Sequence, residues 1–391
     1  MFSGRSFAMT EKLYDADSHL SKFDATVIRC EKTERGYETE LDRTAFFPES
    51  GGQSGDRGTL GGIAVTDTQS DGGRIIHICA APLTVGESVR GVLDFEQRFR
   101  KMQNHSGEHI VSSIIHRRFG YSNVGFHLGC EETTFDFNGE VTKEELSEVE
   151  KEANLIVASN AEIKTYYPTE EELSSLEYRS KGEPEGKVRI VEIVGVDMCA
   201  CCAPHVSRTG EIGMIKLLGA MRYKGGIRVR MKCGLDALDD FSERIAREEE
   251  ISRLLCVPQE EIAVGAASLA QQLASQKHLS SELKRRIAER LAEAVTETNG
   301  NVCLFDDCLS AEELRALANL CVDRCNIVAA CSGSDAEGYL FVCASKRTPL
   351  RALAKTIGES CSGKCGGSDL MLSGRLSATK ENIKRFFEEK L

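Results

Sequence analysis

The chain has 391 residues, of which 41% are hydrophobic and 28% charged, with 35 Gly and only 7 Pro, so it belongs with folded globular proteins rather than disordered or fibrous ones. A net charge of −12 excludes a general nucleic-acid coat, because non-specific affinity comes from phosphate neutralisation by Lys and Arg. No apolar run approaches the ~18 residues of a membrane-spanning helix, and the length predicts two or three domains.

The N-terminal stretch MFSGRSFAMTEKLYD lacks the apolar core of a signal peptide, and Met9 offers a second start that would leave a short leader. A cytoplasmic protein is expected. Its 16 cysteines are scattered through a long chain, which predicts reduced thiols packed as small apolar side chains rather than a disulfide framework.

The predicted fold class is α+β. Residues 10–90 read as short strands broken by Gly, Asp and Ser, as in ATVIRCEKTERGYETELD, and predict a small β-barrel. Residues 91–234 mix a helix in MQNHSGEHIVSSIIHRRFG, whose apolar face carries Ile110, Ile114 and Ile115, with strands such as KVRIVEIV and GIRVRMKCG, and predict an α+β domain. Residues 235–299 shift to Ala, Glu, Leu and Arg with a break at Pro258, and Leu269, Leu273, Leu283, Ile287 and Leu291 recur at helical spacing. That spacing predicts a helical hairpin or short coiled-coil linker. Residues 300–391 alternate strands NVCLF, NIVAAC and YLFVCAS with helices and a Gly-rich turn, and predict a separate α/β domain.

Two paired spacings carry chemistry. His105 and His109 lie four apart on the predicted helix, so both imidazoles leave one face, and Cys201 and His205 form a second close pair. A Cys/His₃ set suits tetrahedral Zn²⁺ better than a hard, oxygen-seeking ion. On residue type alone Cys199 and Cys202 compete with Cys201, and His116 with the other histidines. The same helix spells H-x-x-E-H, the inverzincin metallopeptidase pattern with Glu108 as base, although such a site wants a carboxylate as third ligand. Downstream, Arg208, Lys216, Arg222, Lys224, Arg228, Arg230 and Lys232 face Glu211 alone within residues 208–232, a basic stripe fit to dock RNA locally.

The stretches LDRTAFFPESGGQSGDRGTL, RFRKMQNHSGEHIVSSII, FHLGCEETTFDF, CCAPHVSRTGEIG and YKGGIRVRMKCG, in this order across residues 10–233, resemble the AlaX family of freestanding alanyl-tRNA editing proteins and the editing domain of alanyl-tRNA synthetase. The resemblance implies hydrolysis of the ester joining a wrong amino acid, serine or glycine, to tRNA(Ala). Its four zinc ligands fall on His105, His109, Cys201 and His205. Many relatives read C-G-G-T-H where this chain has Cys201-Cys202-Ala203-Pro204-His205, and Gln or Thr at the place of Glu108. Both departures leave the ligands intact. Beyond residue 234 the chain resembles the connector and Gly-rich C-terminal domain of the synthetase, which implies tRNA binding or a homodimer. That domain also accompanies DHH phosphoesterases, but no Asp-His-His motif occurs here.

An alanine pocket cannot exclude glycine by size and rejects serine poorly, so a second sieve needs a polar group that a missing hydroxyl leaves unpaired. Thr44 is the candidate for that group, and a β-branched strand residue is its plainer role. Gln53, in the Gly-rich stretch PESGGQSGDRG, is placed to bond a carbonyl or water, with Glu108 as a further catalytic candidate. Arg222, Lys224, Arg228 and Arg230 are the expected tRNA contacts. A noncatalytic tRNA-binding protein is the remaining alternative.

Overall fold

The computed structural model describes residues 9–129, 132–180 and 187–390. The possible leader before Met9 lies outside them. The architecture is mixed α+β, and the chain divides into two compact units, one ending at Arg247 and the other beginning at Glu248. Among the described residues no helix is long and apolar enough to cross a membrane, and each cysteine is a free thiol.

The first unit opens with β1 (Glu11–Lys12) and α1 (Leu13–Ala16), followed by β2 (Lys22–Thr33), β3 (Gly36–Leu41), β4 (Arg43–Thr44), β5 (Gly58–Leu60), β6 (Ile63–Asp71), β7 (Arg74–Cys79) and β8 (Ser88–Leu93). Six of these strands pair in the order β2-β3-β7-β6-β5-β8 and close on themselves through β2 and β8. Alternation explains the closure: Phe23, Ala25 and Val27 point inward at every second position of β2 and meet Leu41, Leu60, Val65 and Val89. Between β6 and β7 the chain reverses over Gly72 and Gly73, both left-handed at φ 57° and 85°, as a two-residue hairpin loop requires.

Helix α2 (Phe95–Phe119) starts at Asp94, whose carboxylate caps the Gln97 N–H, and ends at the left-handed Gly120. From Lys101 to Ile115 every residue is buried, so the helix shows no simple apolar stripe. It packs against the sheet β14-β15-β10-β9, formed by β9 (Asn123–Leu128), β10 (Thr133–Phe137), β14 (Ile215–Tyr223) and β15 (Gly226–Cys233). Gly107 permits that approach, since a Cβ there would sit 2.4 Å from the Cys233 sulfur. Helix α3 (Lys143–Ala158), held at its start by a Thr142–Glu145 capping box, covers the same core. A three-stranded sheet of β11 (Ile163–Tyr166), β12 (Ile190–Ile193) and β13 (Asp197–Ala200), with the short α4 (Glu170–Ser175), completes the unit. Helix α5 (Gly234–Leu255) runs through the division between units.

In the second unit, α6 (Ile262–Glu293) follows the break at Pro258. Its Leu269, Leu273 and Leu283 are exposed, whereas Ile287 and Leu291 pack on the C-terminal core. That core surrounds a five-stranded sheet ordered β16 (Val302–Asp306), β17 (Val328–Ser334), β18 (Gly338–Ala344), β20 (Met371–Leu376) and β19 (Gly363–Gly367). Both faces are covered. Val328, Ala330 and Val342 meet α6 and α7 (Ala311–Cys321), while Ala329, Cys331 and Phe341 meet α8 (Ala354–Ser360), α9 (Lys380–Arg385) and Phe387. Of the three apolar runs read from sequence, those of β17 and β18 are therefore buried on both sides and that of β16 is largely half-buried, with Cys303, Cys331 and Cys343 serving as apolar fillers.

Candidate metal centre

Helix α2 aligns Arg98, Lys101, His105 and His109 at i, i+3, i+7 and i+11, the spacing of one helix face. The loop after β13 brings Cys201 and His205 to that face. One ligand atom from each of His105, His109, Cys201 and His205 lies within 4.8 Å of every other. The Cys201 sulfur is 3.5 Å from His105 Nε2 and 3.4 Å from His205 Nε2. All three histidines are buried at 2% exposure.

Each imidazole has its other nitrogen held or faced from behind. His105 Nδ1 donates to Gln53 Oε1 at 3.0 Å, which leaves the lone pair of Nε2 aimed at the cluster. His205 Nδ1 meets Ser106 Oγ at 3.0 Å, and His109 Nδ1 lies 3.7 Å from Asp197 Oδ2. Asp197 is itself gripped by Arg179 through bonds of 2.8 and 2.6 Å. This orienting second layer is what metal-ligating histidines use to fix tautomer and ring angle.

The protonation states suit the same role. Burial would raise the Cys201 thiol, but the surrounding imidazoles hold it well below the ordinary thiol range. Burial pushes His205 down to about 3, so it is neutral at physiological pH. His109 behaves oppositely: burial lowers it, but Cys199, Asp197 and Cys201 together raise it well above the usual histidine value. A bound cation would compete with that proton. Three imidazole nitrogens and one thiolate fit a borderline divalent ion and not a hard one.

The structure separates the competing candidates. Cys199 is buried with His109 and Asp197, but two bonds from Arg179 occupy the Asp197 carboxylate and set a positive charge against any second cation there. Cys202 is exposed, and His116 lies exposed on the Tyr121 carbonyl. Glu108 is buried and accepts from Ser112 and Asn123. It belongs to none of the close ligand groups among the described residues, and the atoms gathered with His105 and His109 are the sulfur of Cys201 and a nitrogen of His205 rather than the carboxylate that the H-x-x-E-H peptidase pattern calls for.

Gln53 sits fully buried on the Gly-rich loop. Lys101 Nζ donates to the Ser54 and Gly55 carbonyls at 3.1 and 2.8 Å, and the buried Arg98–Asp56 pair anchors the end of the same loop. Gln53 Nε2 has no hydrogen-bond partner among the described residues. Thr44 is buried on β4, which pairs in parallel with β1. Because His77 Nδ1 donates to the Thr39 carbonyl, His77 Nε2 accepts the Thr44 hydroxyl at 2.8 Å, and Thr44 Oγ1 accepts the Phe46 N–H.

The four cations expected to contact tRNA fall on the β14–β15 hairpin, whose turn places Lys224 and Gly225 at φ 46° and 82°. Arg228 makes two bonds to Asp136, Arg230 bonds Glu132, and Arg222 approaches Glu140 at 3.4 Å. Of the four, Lys224 has no carboxylate at ion-pair distance among the described residues; it lies over the Tyr223 ring. Sequence reasoning missed Arg98, Lys101, Ser106, Arg179 and Asp197. The first two were detectable as cations in helical register with His105 and His109.

A sequence profile described as the Threonyl and Alanyl tRNA synthetase second additional domain matches residues 188–230, which include Cys201, His205 and most of the hairpin. The alanyl-tRNA editing protein AlaX-M of Methanosarcina mazei is 38% identical over 57% of this chain and 95% of its own length. The chain belongs to the alanyl-tRNA editing protein family. AlaX-L of Pyrococcus horikoshii is 29% identical over 98% of both chains, so the similarity includes the second unit. An alanine–tRNA ligase of Ignicoccus hospitalis is 29% identical over 81% of this chain, which spans only 36% of that enzyme.

Proposed function

We propose that this editing protein hydrolyses the ester of tRNA(Ala) wrongly charged with serine or glycine, acting as a cytoplasmic, zinc-dependent deacylase. The observation that carries the reading is the convergence of His105, His109, Cys201 and His205 beside the unspent amide donor of Gln53. His105, His109, Cys201 and His205 would hold Zn²⁺, which would supply positive charge and rigidity at the site. Gln53 Oε1 orients His105, and its Nε2 is the donor available to an ester carbonyl or an attacking water. Gly51 and Gly52, left-handed at φ 61° and 84°, let backbone and substrate approach closely there.

Serine selectivity falls to Thr44. Its oxygen donates to His77 and accepts one N–H, which leaves one lone pair for a serine hydroxyl that alanine cannot offer. The β14–β15 hairpin, with Lys224, which has no carboxylate at ion-pair distance among the described residues, and with Arg222, Arg228 and Arg230 beside it, receives the acceptor end. The second unit binds tRNA elsewhere or joins two chains through the exposed Leu269, Leu273 and Leu283. On this reading residues 91–234 are the zinc-binding editing domain, with the helical linker of 235–299 and the Gly-rich domain of 300–391 following it in the chain. Incubation of the purified protein with seryl-, glycyl- and alanyl-tRNA(Ala) tests the proposal: rapid loss of the first two and sparing of the third is expected. Failure to deacylate any of them would leave a tRNA-binding protein.

A further inference from the structure

Arg189, immediately before β12, is a buried cation at 2% exposure that the editing chemistry above does not use. Its Nη1 donates to the Cys201 carbonyl at 3.1 Å and to the Ala203 carbonyl at 2.9 Å, while its own carbonyl accepts the Cys201 N–H at 3.0 Å. Its Nε and Nη2 have no hydrogen-bond partner among the described residues, and Asp15 Oδ1 stands 3.7 Å from Nε. A guanidinium buried with so little of its donor capacity spent is a poor device for stability, since desolvation of the charge outweighs a distant carboxylate.

Its bonds instead define a shape. The two carbonyls it holds flank Cys202, so the loop bows outward at that residue, whose side chain is exposed, and turns inward at Cys201 and His205. Ala203 fixes the same bend from the other side by packing at 3% exposure against Tyr14, Phe47 and Ile75. We infer that Arg189 is a positioning residue for the metal centre: it sets the curvature of the Cys201–His205 loop that aims one sulfur and one nitrogen at a common point. Arginine suits this task because the two N–H bonds of its planar Nη1 leave in fixed directions, one to each carbonyl, whereas a lysine ammonium can reach two carbonyls, as Lys101 does, but turns on a flexible stem that sets no direction.

The inference rests on the metal reading of the four ligands, and the full-length protein tests the two separately. Zinc affinity is measured by chelator competition, and the absorption of the cobalt(II)-substituted protein reports thiolate ligation and geometry. Arg189→Met is expected to keep the far-UV dichroism of the wild type but weaken zinc binding about 10- to 100-fold and change the cobalt bands. Arg189→Lys is expected to fall between the two. A folded Arg189→Met protein with wild-type zinc affinity and cobalt spectrum overturns the inference. Should that variant fail to fold, wild-type affinity in Arg189→Lys does the same. A wild type that binds neither zinc nor cobalt overturns the metal reading itself, and this inference with it.

Discussion

The buried ground around α2 and the exposed β14–β15 hairpin are both crowded with ionisable side chains, yet they use them differently. Along α2, His105, Lys101 and Arg98 each bond a fixed partner from another element and His109 faces Asp197, while the remaining ring nitrogens of the two histidines gather with Cys201 and His205. On the hairpin, Arg228, Arg230 and Arg222 meet carboxylates of Asp136, Glu132 and Glu140 at a partly solvated surface, where ion pairs are worth about 0–1 kcal/mol. Residue types at a given spacing therefore say much about a ligand set, because the helix itself delivers the geometry. Local net charge says little about a field, because the compensating acids arrive from β10 and the chain on either side of it.

The largest expected effect separates two adjacent thiols. Cys201→Ala should abolish stoichiometric metal binding and deacylation together, whereas Cys202→Ala, an exposed thiol outside the cluster, should retain both. Metal analysis of the two purified variants checks this. Equal metal content in both would break the contrast at its root.

Next comes pH. Burial lowers His77 from 6.5 to about 4, so the unfolded chain takes up a proton there before the folded one does. Its contribution to stability is whole above pH 6.5 and is lost as pH falls toward 4, a difference of about 3 kcal/mol. Urea unfolding of the wild type and His77→Gln across that window should show a flatter profile for the variant. The exposed hairpin pairs should respond to salt instead. Parallel profiles would mean that His77 titrates as freely as a surface histidine.

How far these regions were legible from the chain follows from the same contrast. The α+β class, the helix carrying His105 and His109, and the strands β14 and β15 announce themselves through period and turn residues. The buried partners do not. Asp197, Ser106 and Arg189 lie on other elements or look like ordinary polar residues, and only tertiary packing gives them a partner. Thr44 shows the limit most clearly: its strand pairing and its hydroxyl bond to His77 join residues more than thirty positions apart. The apolar register from Leu269 to Leu291 also conceals a split, since its end is buried and its beginning exposed.

A smaller effect is expected at Thr44. Replacing it by Val keeps the shape but leaves His77 Nε2 buried without a donor, a cost of about 2 kcal/mol. Thr44→Ser keeps the hydroxyl and should lose less. If Thr44 also reads the substrate, the ratio of seryl- to alanyl-tRNA deacylation should fall in Val and survive in Ser. A stability loss with an unchanged ratio would assign the residue to its buried bond with His77 alone.

The smallest effect tests whether pairing on the hairpin silences a cation. Each phosphate contact contributes to the salt dependence of binding because neutralisation releases counterions from the RNA. Lys224, at the left-handed hairpin turn and without a carboxylate partner among the described residues, is free to make such a contact. Arg228 is held by two bonds to Asp136 and stacks 3.9 Å from the Tyr223 ring centre, so a phosphate would have to share it with a carboxylate. Lys224→Gln should therefore reduce the log–log slope of tRNA affinity against salt by about 0.7–0.9, while Arg228→Gln changes it by less. Asp136→Asn, which releases Arg228, should steepen the slope and tighten binding at low salt. Equal losses from Lys224→Gln and Arg228→Gln, with no gain from Asp136→Asn, would show that the surface pairs open when RNA arrives. In that case the local charge of residues 208–232 would be the better guide to this face than its folded partners.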